Sequence, residues 1–250
     1  LKLDLKFWNE KCSHWKNKWP VYDPKVHRCD KGGINLYEIV ESINRNSSAK
    51  DLIVADSGQL CYICSSNINP KKGQRYMVQA AQGDMGYAIP ALVGIHFANP
   101  SYNIITCIGD GSFHTNMQEL AAIRQHNVPA KIIVVNNGGD MTIKQTQNKF
   151  FKGNLIGIDR STGVYISNIQ KIAEAFDIDH VKISNNEELD SEMKNVFKHD
   201  RPLIVEVLGK DSVDVLPAQA LKPDGTQAGL HDMAPFLSEQ ELQEEMIVKI

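Results

Sequence analysis

The chain has 250 residues, 42% of them hydrophobic and 23% charged, with a formal net charge of −3. That length suits one large α/β domain or two small ones, and the composition is ordinary for a soluble globular chain. The charge gives no electrostatic reason to expect nucleic acid or an acidic membrane as partner, and no apolar run approaches the ~20 residues of a membrane span. Five scattered cysteines, Cys12, Cys29, Cys61, Cys64 and Cys107, do not read as a disulfide framework, so a reducing, cytoplasmic setting is expected. There is no initiating Met, and the chain reads as a piece of a longer protein.

Leu5, Trp8, Cys12, Trp15 and Trp19 fall at roughly helical spacing and predict an amphipathic helix over residues 4–19, stopped by Trp19-Pro20. Pro20, Pro24, Gly32 and Gly33 make residues 20–33 a linker. Asn35 then precedes the apolar face Leu36, Ile39, Val40 and Ile43, which predicts a helix ending near Asn46. A strand over residues 52–55 runs into Asp56-Ser57-Gly58-Gln59, one candidate anion-binding turn. Residues 60–78 look polar and irregular. Cys61 and Cys64 form a C-x-x-C there, but zinc needs a second ligand pair and none is present, so two half-buried thiols are expected. Gly83-Asp84-Met85-Gly86 leads into a helix starting near Tyr87 or Ala88, early enough to tolerate Pro90.

The central unit comes next. An apolar strand from Ile104 ends at Gly109-Asp110-Gly111, a helix from near Ser112 carries Phe113, Met117, Leu120 and Arg124, and a second apolar strand ends at Asn136-Asn137. Two parallel neighbours joined this way have their C-terminal ends side by side, roughly 4.8 Å apart. Asp110 and Asn137 would then offer hard oxygens at one rim, suited to Mg²⁺ or Ca²⁺, with the helix N-terminus favouring a phosphate. Residues 138–145 look glycine-led and turn-like, and residues 150–166 look like a loop over one face. Ser167 or Asn168 caps a helix to about Phe176, and a strand at 180–183, a helix at 187–198 and a strand at 203–208 follow. Beyond residue 209 the alternation stops, and Pro217, Pro223 and Pro235 suggest an extended tail that wraps rather than folding alone. Strands alternating with helices predict an α/β fold, a parallel sheet with helices on both faces, whose ligands bind beyond the carboxyl ends of the strands.

Four readings compete for the Gly-Asp-Gly turn. The dinucleotide fingerprint G-x-G-x-x-G and the P-loop G-x-x-x-x-G-K-[ST] are both missing. A plain helix cap by Asp110 and a metal–diphosphate site both fit the spacing.

The fourth reading accounts for both strand ends. Gly-Asp-Gly closed one helix and one strand later by Asn-Asn resembles the thiamine diphosphate motif. The segments at residues 109–120 (GDGSFHTNMQEL), 135–147 (VNNGGDMTIKQTQ), 83–91 (GDMGYAIPA) and 56–59 (DSGQ) each resemble segments of the acetolactate synthase-like family, in the same order and over roughly residues 30–210. The resemblance implies the following. Asp110, the Asn137 side chain and the Gly139 carbonyl hold Mg²⁺, and Gly111 and Ser112 donate to the diphosphate. Ser57, Gly58, Gln59 and Leu60 close over it. The Gly83 carbonyl accepts from the aminopyrimidine, and Met85 is the apolar wedge that bends the cofactor into a V. The substrate is a 2-oxo acid such as pyruvate, met near Met141 and Thr142.

Three departures put the substrate rather than the cofactor in question: Asp84 where a small or hydroxyl residue is common, Asp140-Met141 where an apolar or aromatic residue is often followed by glycine, and Thr146 in place of a tryptophan. The family's activating glutamate belongs to a separate pyrimidine-binding domain, which the resemblance places on a partner subunit of a homodimer or homotetramer. The expected layout is therefore residues 1–30 as helix and linker from a preceding domain, 31–210 as the thiamine diphosphate-binding domain and 211–250 as an extended tail. No catalytic residue is expected within the chain, and taken alone it is expected to be inactive. The alternatives are a 2-oxo acid decarboxylase or other lyase, and a cofactor-binding subunit that needs a separate glutamate-bearing chain.

Overall fold

The computed structural model describes residues 5–29, 31–79, 81–211 and 213–248; the expectations that touch residues 1–4, Asp30, Ala80, Ser212, Lys249 and Ile250 lie, at those positions, outside the described residues. The chain divides into two compact units, Leu1–Val213 and Asp214–Ile250.

The first unit is built on six strands: β1 Asp51–Ala55, β2 Arg75–Val78, β3 Asn103–Gly109, β4 Ala130–Asn136, β5 Asp179–Ile183 and β6 Leu203–Leu208. They form one sheet in the order β2-β1-β3-β4-β6-β5, every neighbouring pair parallel. Its helices are α1 Lys6–Lys18, α2 Pro24–His27, α3 Leu36–Asn46, α4 Gln59–Asn67, α5 Ala88–Ala98, α6 Asp110–Thr115, α7 Leu120–Gln125, α8 Met141–Phe150, α9 Ile169–Ala175 and α10 Asn186–Val196. Asn35, Asn168 and Asn185 each cap the helix that follows by accepting a backbone N–H, Asn168 where a cap was expected.

Both faces of the sheet are covered, which is why its central strands are nearly continuous runs of branched apolar residues. Leu52, Val54, Ile104, Ile108, Ile132 and Val134 point to one side, into a core shared with Ile89 and Leu92 of α5, Leu120 and Ile123 of α7, and Ile169 and Ala173 of α9. Ile53, Ile105, Ile133 and Val205 alternate with them and are equally buried, as are Leu36, Ile39, Val40 and Ile43 of α3 and Ile63 of α4. Each such side chain contributes ~1.5–3 kcal/mol by leaving water.

Three expectations change. Residues 60–78 are not irregular: they hold α4 and the edge strand β2. Leu60, Ile63 and Cys64 do fall at helical steps, but intervening Ser, Tyr and Asn residues hide the face, and Cys64 is fully buried rather than half-buried. Residues 138–145 are a turn only as far as Asp140, because α8 begins at Met141. The single helix expected after Gly-Asp-Gly breaks at Asn116 into α6, a short 3-10 turn and α7.

The linker is docked. Tyr22 and Tyr37 stack on opposite sides of His27, with centroids 5.6 and 4.6 Å away. Glu38 on α3, fully buried, accepts from Tyr22, from Arg28 Nη1 at 3.2 Å and from Arg45 Nη2 at 2.8 Å. Asp190 on α10 joins both arginines from the other side, 3.1 Å from Arg45. The second unit carries α11, Glu239–Glu245, backbone bridges at Ala218–Ala234 and Leu221–Gln227, and a 2.7 Å ion pair between Lys222 and Asp232.

Sheet order fixes where a ligand can go. From β1 the chain crosses outward to β2, then returns to the other side of β1 as β3 and continues outward to β4. The crevice between the carboxyl ends of β1 and β3 is the topological switch point, where α/β sheets bind ligands.

Candidate functional site

Three turns meet at that crevice: Asp56–Gln59 after β1, Asp110–Ser112 after β3 and Asn137–Asp140 after β4. They line a cavity of about 230 Å³ together with the Gly83 and Met85 loop, Leu60, Met141 and Thr142. All of the residues expected at the site from the sequence line this one pocket.

Asp110 is its organising group. The side chain is 1% exposed. Oδ2 accepts from the N–H groups of Asn137, Gly138 and Gly139 at 3.1, 2.7 and 3.1 Å, and Oδ1 accepts from Gly111 N–H at 2.7 Å. The carboxylate thus fastens the end of β3 to the turn after β4. Gly138 and Gly139 make this turn possible with φ of 82° and 148°, and a Cβ on Gly139 would sit 2.1 Å from the Ile158 carbonyl oxygen. Burial pushes the Asp110 pKa up to about 6, although all four N–H groups pull the other way. Desolvation outweighs four neutral donors here.

Oδ2 is saturated by its three donors. Oδ1, with one, keeps capacity for a cation. The Asn137 amide is partly exposed and, among the described residues, has no hydrogen-bond partner, and the Gly139 carbonyl is adjacent in the same turn. That is a set of hard oxygens, which fits Mg²⁺ or Ca²⁺. No Lys, Arg or His lines the pocket among the described residues, so an anion bound there must take its countercharge from backbone N–H groups or from a metal.

The helix expected to direct a macrodipole at the site has only six residues in α6, so its field is that of one turn. Gly111 N–H is engaged by Asp110. Ser112, whose hydroxyl lies 3.4 Å from Ser57 Oγ, is the better placed donor to a ligand. Gly58 enters α4 with φ of 72°, and a Cβ there would come to 3.3 Å from Thr142 Oγ1. Gln59 turns away: its Nε2 donates to the Val213 carbonyl at 2.7 Å, so its contribution to the pocket wall is structural in this geometry.

Sequence reasoning missed three supports. Asp56, 1% exposed, accepts from Gly86 N–H and Ala88 N–H, both at 2.9 Å, and so carries the Gly83–Met85 loop on the end of β1. Thr115 Oγ1 reaches the Met85 carbonyl at 2.9 Å, close against Gly86, where any Cβ would stand 2.0 Å from that oxygen. His114 Nε2 accepts from Ser167 N–H at 3.1 Å, which leaves the ring proton on Nδ1 to donate to the Asp110 carbonyl at 2.6 Å. A polar residue at the end of an apolar strand is the one local sign that could have marked Asp56. The charge of Asp84 finds Gln79 Nε2 at 3.0 Å and solvent.

Comparison with known proteins decides the family. Residues 56–207 match the thiamine pyrophosphate enzyme, C-terminal TPP binding domain. The chain belongs to this family. It is 30% identical to the acetolactate synthase large subunit of Lactococcus lactis over 234 residues, 92% of this chain and 38% of that protein. It is 29% identical to the acetolactate synthase large subunit of Porphyra purpurea over 214 residues, 85% of this chain and 35% of that protein. Against the chloroplastic acetolactate synthase 3 of Brassica napus the identity is 27% over 221 residues, 87% of this chain and 33% of that protein. The chain therefore spans little more than a third of the length of the curated relatives it matches. The six-stranded parallel sheet is the TPP-binding fold expected from the sequence. No helix among the described residues is long and apolar enough to cross a membrane.

Proposed function

We propose that the switch-point pocket binds thiamine diphosphate through Mg²⁺ and serves an acetolactate synthase-like enzyme acting on a 2-oxo acid, with decarboxylation followed by joining to a second carbonyl. One observation carries this reading. A buried carboxylate shared between two strand ends opens an oxygen toward a pocket that, among the described residues, offers an anionic diphosphate no cationic side chain. A divalent cation resolves both shortages at once.

In this reading Asp110 through Oδ1, the Asn137 amide oxygen and the Gly139 carbonyl hold the cation, while Ser112 and the Ser57–Leu60 turn face the diphosphate. The carbonyl of Gly83 accepts from the aminopyrimidine. Met85, 42% exposed toward the pocket, supports the bend of the cofactor. Thiamine diphosphate, when bound, supplies the electron sink for breaking the carbon–carbon bond beside a ketone. This chain orients the cofactor, excludes water with Leu60 and Met141, and shapes the acceptor pocket with Met141 and Thr142.

No glutamate lines the pocket among the described residues. The activating acid then comes from a pyrimidine-binding domain, on a partner subunit of a homodimer or homotetramer. The same observation favours a second reading, a cofactor-binding subunit completed by a separate glutamate-bearing chain.

Calorimetry on the intact protein tests the site: thiamine diphosphate should bind with Mg²⁺ and not with a chelator. Turnover of a panel of 2-oxo acids, scored for released CO₂ and for the ligated product, tests the reaction. Release of CO₂ with no ligated product would establish a decarboxylase instead.

A further inference from the structure

Asp140 has no role in the site as assigned so far. It occupies the N-cap position of α8, yet its side chain makes no cap hydrogen bond. Its main chain is fully used: the N–H donates to the Ile158 carbonyl at 2.9 Å, and the carbonyl accepts from Lys144 N–H at 3.0 Å. Among the described residues its carboxylate has neither a hydrogen-bond donor nor an ion-pair partner. Lys144, one helical turn along, is the cation that spacing would offer it, and that ammonium instead lies 3.6 Å from Asp211.

The carboxylate nevertheless points into the pocket. A Cβ built on Gly111 would be 2.6 Å from Asp140 Oδ1 and 3.6 Å from Met85 Cε. Asp140 thus lies over Gly111, on the same side as Met85. Among the described residues that line the pocket, none carries a cation that could pair with it. A carboxylate with no protein partner in a pocket wall is placed to meet positive charge that arrives with a ligand.

We propose that Asp140 is the counter-ion of the cationic ring of the cofactor. The inference rests on the reading of the pocket as a thiamine diphosphate site. That ligand is anionic at its diphosphate and permanently cationic at its thiazolium nitrogen, and the pocket provides for each end separately: oxygens and a metal for the first, Asp140 beside Met85 for the second.

The test uses two ligands of one shape. The intact protein and its Asp140→Asn and Asp140→Glu variants are titrated, with Mg²⁺ in excess, with thiamine diphosphate and with its neutral deaza analogue, in which carbon replaces the quaternary nitrogen. Asp140→Asn should weaken thiamine diphosphate roughly tenfold, about 1.4 kcal/mol, and leave the neutral analogue unchanged. Asp140→Glu, which keeps the charge, should retain most of the affinity. Equal changes for both ligands, or no change for either, overturn the counter-ion role, as does a raised Mg²⁺ requirement common to both ligands, which would make Asp140 a metal ligand. If the unaltered protein binds neither ligand, the reading of the site falls and this inference falls with it. Melting of the ligand-free variants separates a binding loss from an unfolded chain.

Discussion

Asp110 and Glu38 are both buried carboxylates, and the protein treats them in opposite ways. Glu38 sits under α3 with Arg28, Arg45 and Tyr22 around it, and Asp190 closes the network from α10. Every charge there has a partner of opposite sign. The arginines are held above their ordinary pKa, Asp190 is held below its own by Arg28, and burial beside Glu38 pushes Tyr22 up to about 12. Asp110, at the carboxyl end of β3, has four N–H donors and, among the described residues, no cation. The first arrangement is complete as it stands and pins the linker to the domain. The second is short of one positive charge, and that shortage faces a pocket. A buried charge that the chain neutralises itself holds the structure together, while one it leaves to a ligand marks a site.

Removing each carboxylate separates the two. Asp110→Ala should abolish Mg²⁺-dependent thiamine diphosphate binding, a loss of ~100-fold or more by calorimetry. Binding that survives this change would remove the metal site from the argument. Glu38→Ala should leave that affinity within about twofold. It should cost ~2–3 kcal/mol in urea unfolding, below the value for a fully buried pair, because Arg28 and Arg45 are 35% and 38% exposed and can rehydrate. A Glu38 variant that bound cofactor poorly would break the distinction.

Asp56 tests an intermediate case, a buried carboxylate with neutral partners and no pocket vacancy assigned to it. Asp56→Ala strips two N–H groups of their acceptor, for ~1–3 kcal/mol of stability, and loosens the Gly83–Met85 loop. Cofactor affinity should fall about tenfold, with the requirement for Mg²⁺ unchanged. A normal affinity would mean that Thr115 holds the loop alone.

A last effect is a pH dependence. In the cation-free protein Asp110 titrates near 6, above its ordinary value, so the folded state binds this proton more tightly than the unfolded chain does. Its contribution to stability is complete below the unfolded pKa and is lost as pH rises through about 6. The stability of the unaltered protein minus that of Asp110→Asn should therefore fall between about pH 4 and pH 6 under chelation. Mg²⁺ with cofactor should flatten that slope. A flat difference without metal would show that the four N–H groups offset desolvation.

Much of this was legible in the chain. The strands near 52–55, 104–109, 130–136 and 203–208 are runs of branched apolar residues, and such runs are dictated by burial on both faces. The turns Asp56–Gln59, Gly83–Met85, Gly109–Gly111 and Asn136-Asn137 are local patterns, so their types could be read where they stand. α4 was not legible, because its buried face of Leu60, Ile63 and Cys64 is interleaved with polar residues and carries a thiol in place of a larger apolar side chain. α8 was hidden by the two glycines that precede it.

The sequence by itself determined most of the elements, though not α4, β2, α8 or the break at Asn116, and the short turns at the strand ends, because period, capping and turn chemistry act over a few residues. Only the tertiary structure decided what those turns hold. The crossing from β2 back beside β1 creates the crevice, and it brings Asp56 to Gly86 across 30 positions, Asp110 to Gly138 across 28 and Arg28 to Asp190 across 162. No local pattern encodes such partners. A buried carboxylate takes whichever donors the packed sheet delivers to it, and at Asp110 the sheet delivers four N–H groups and, among the described residues, no cation.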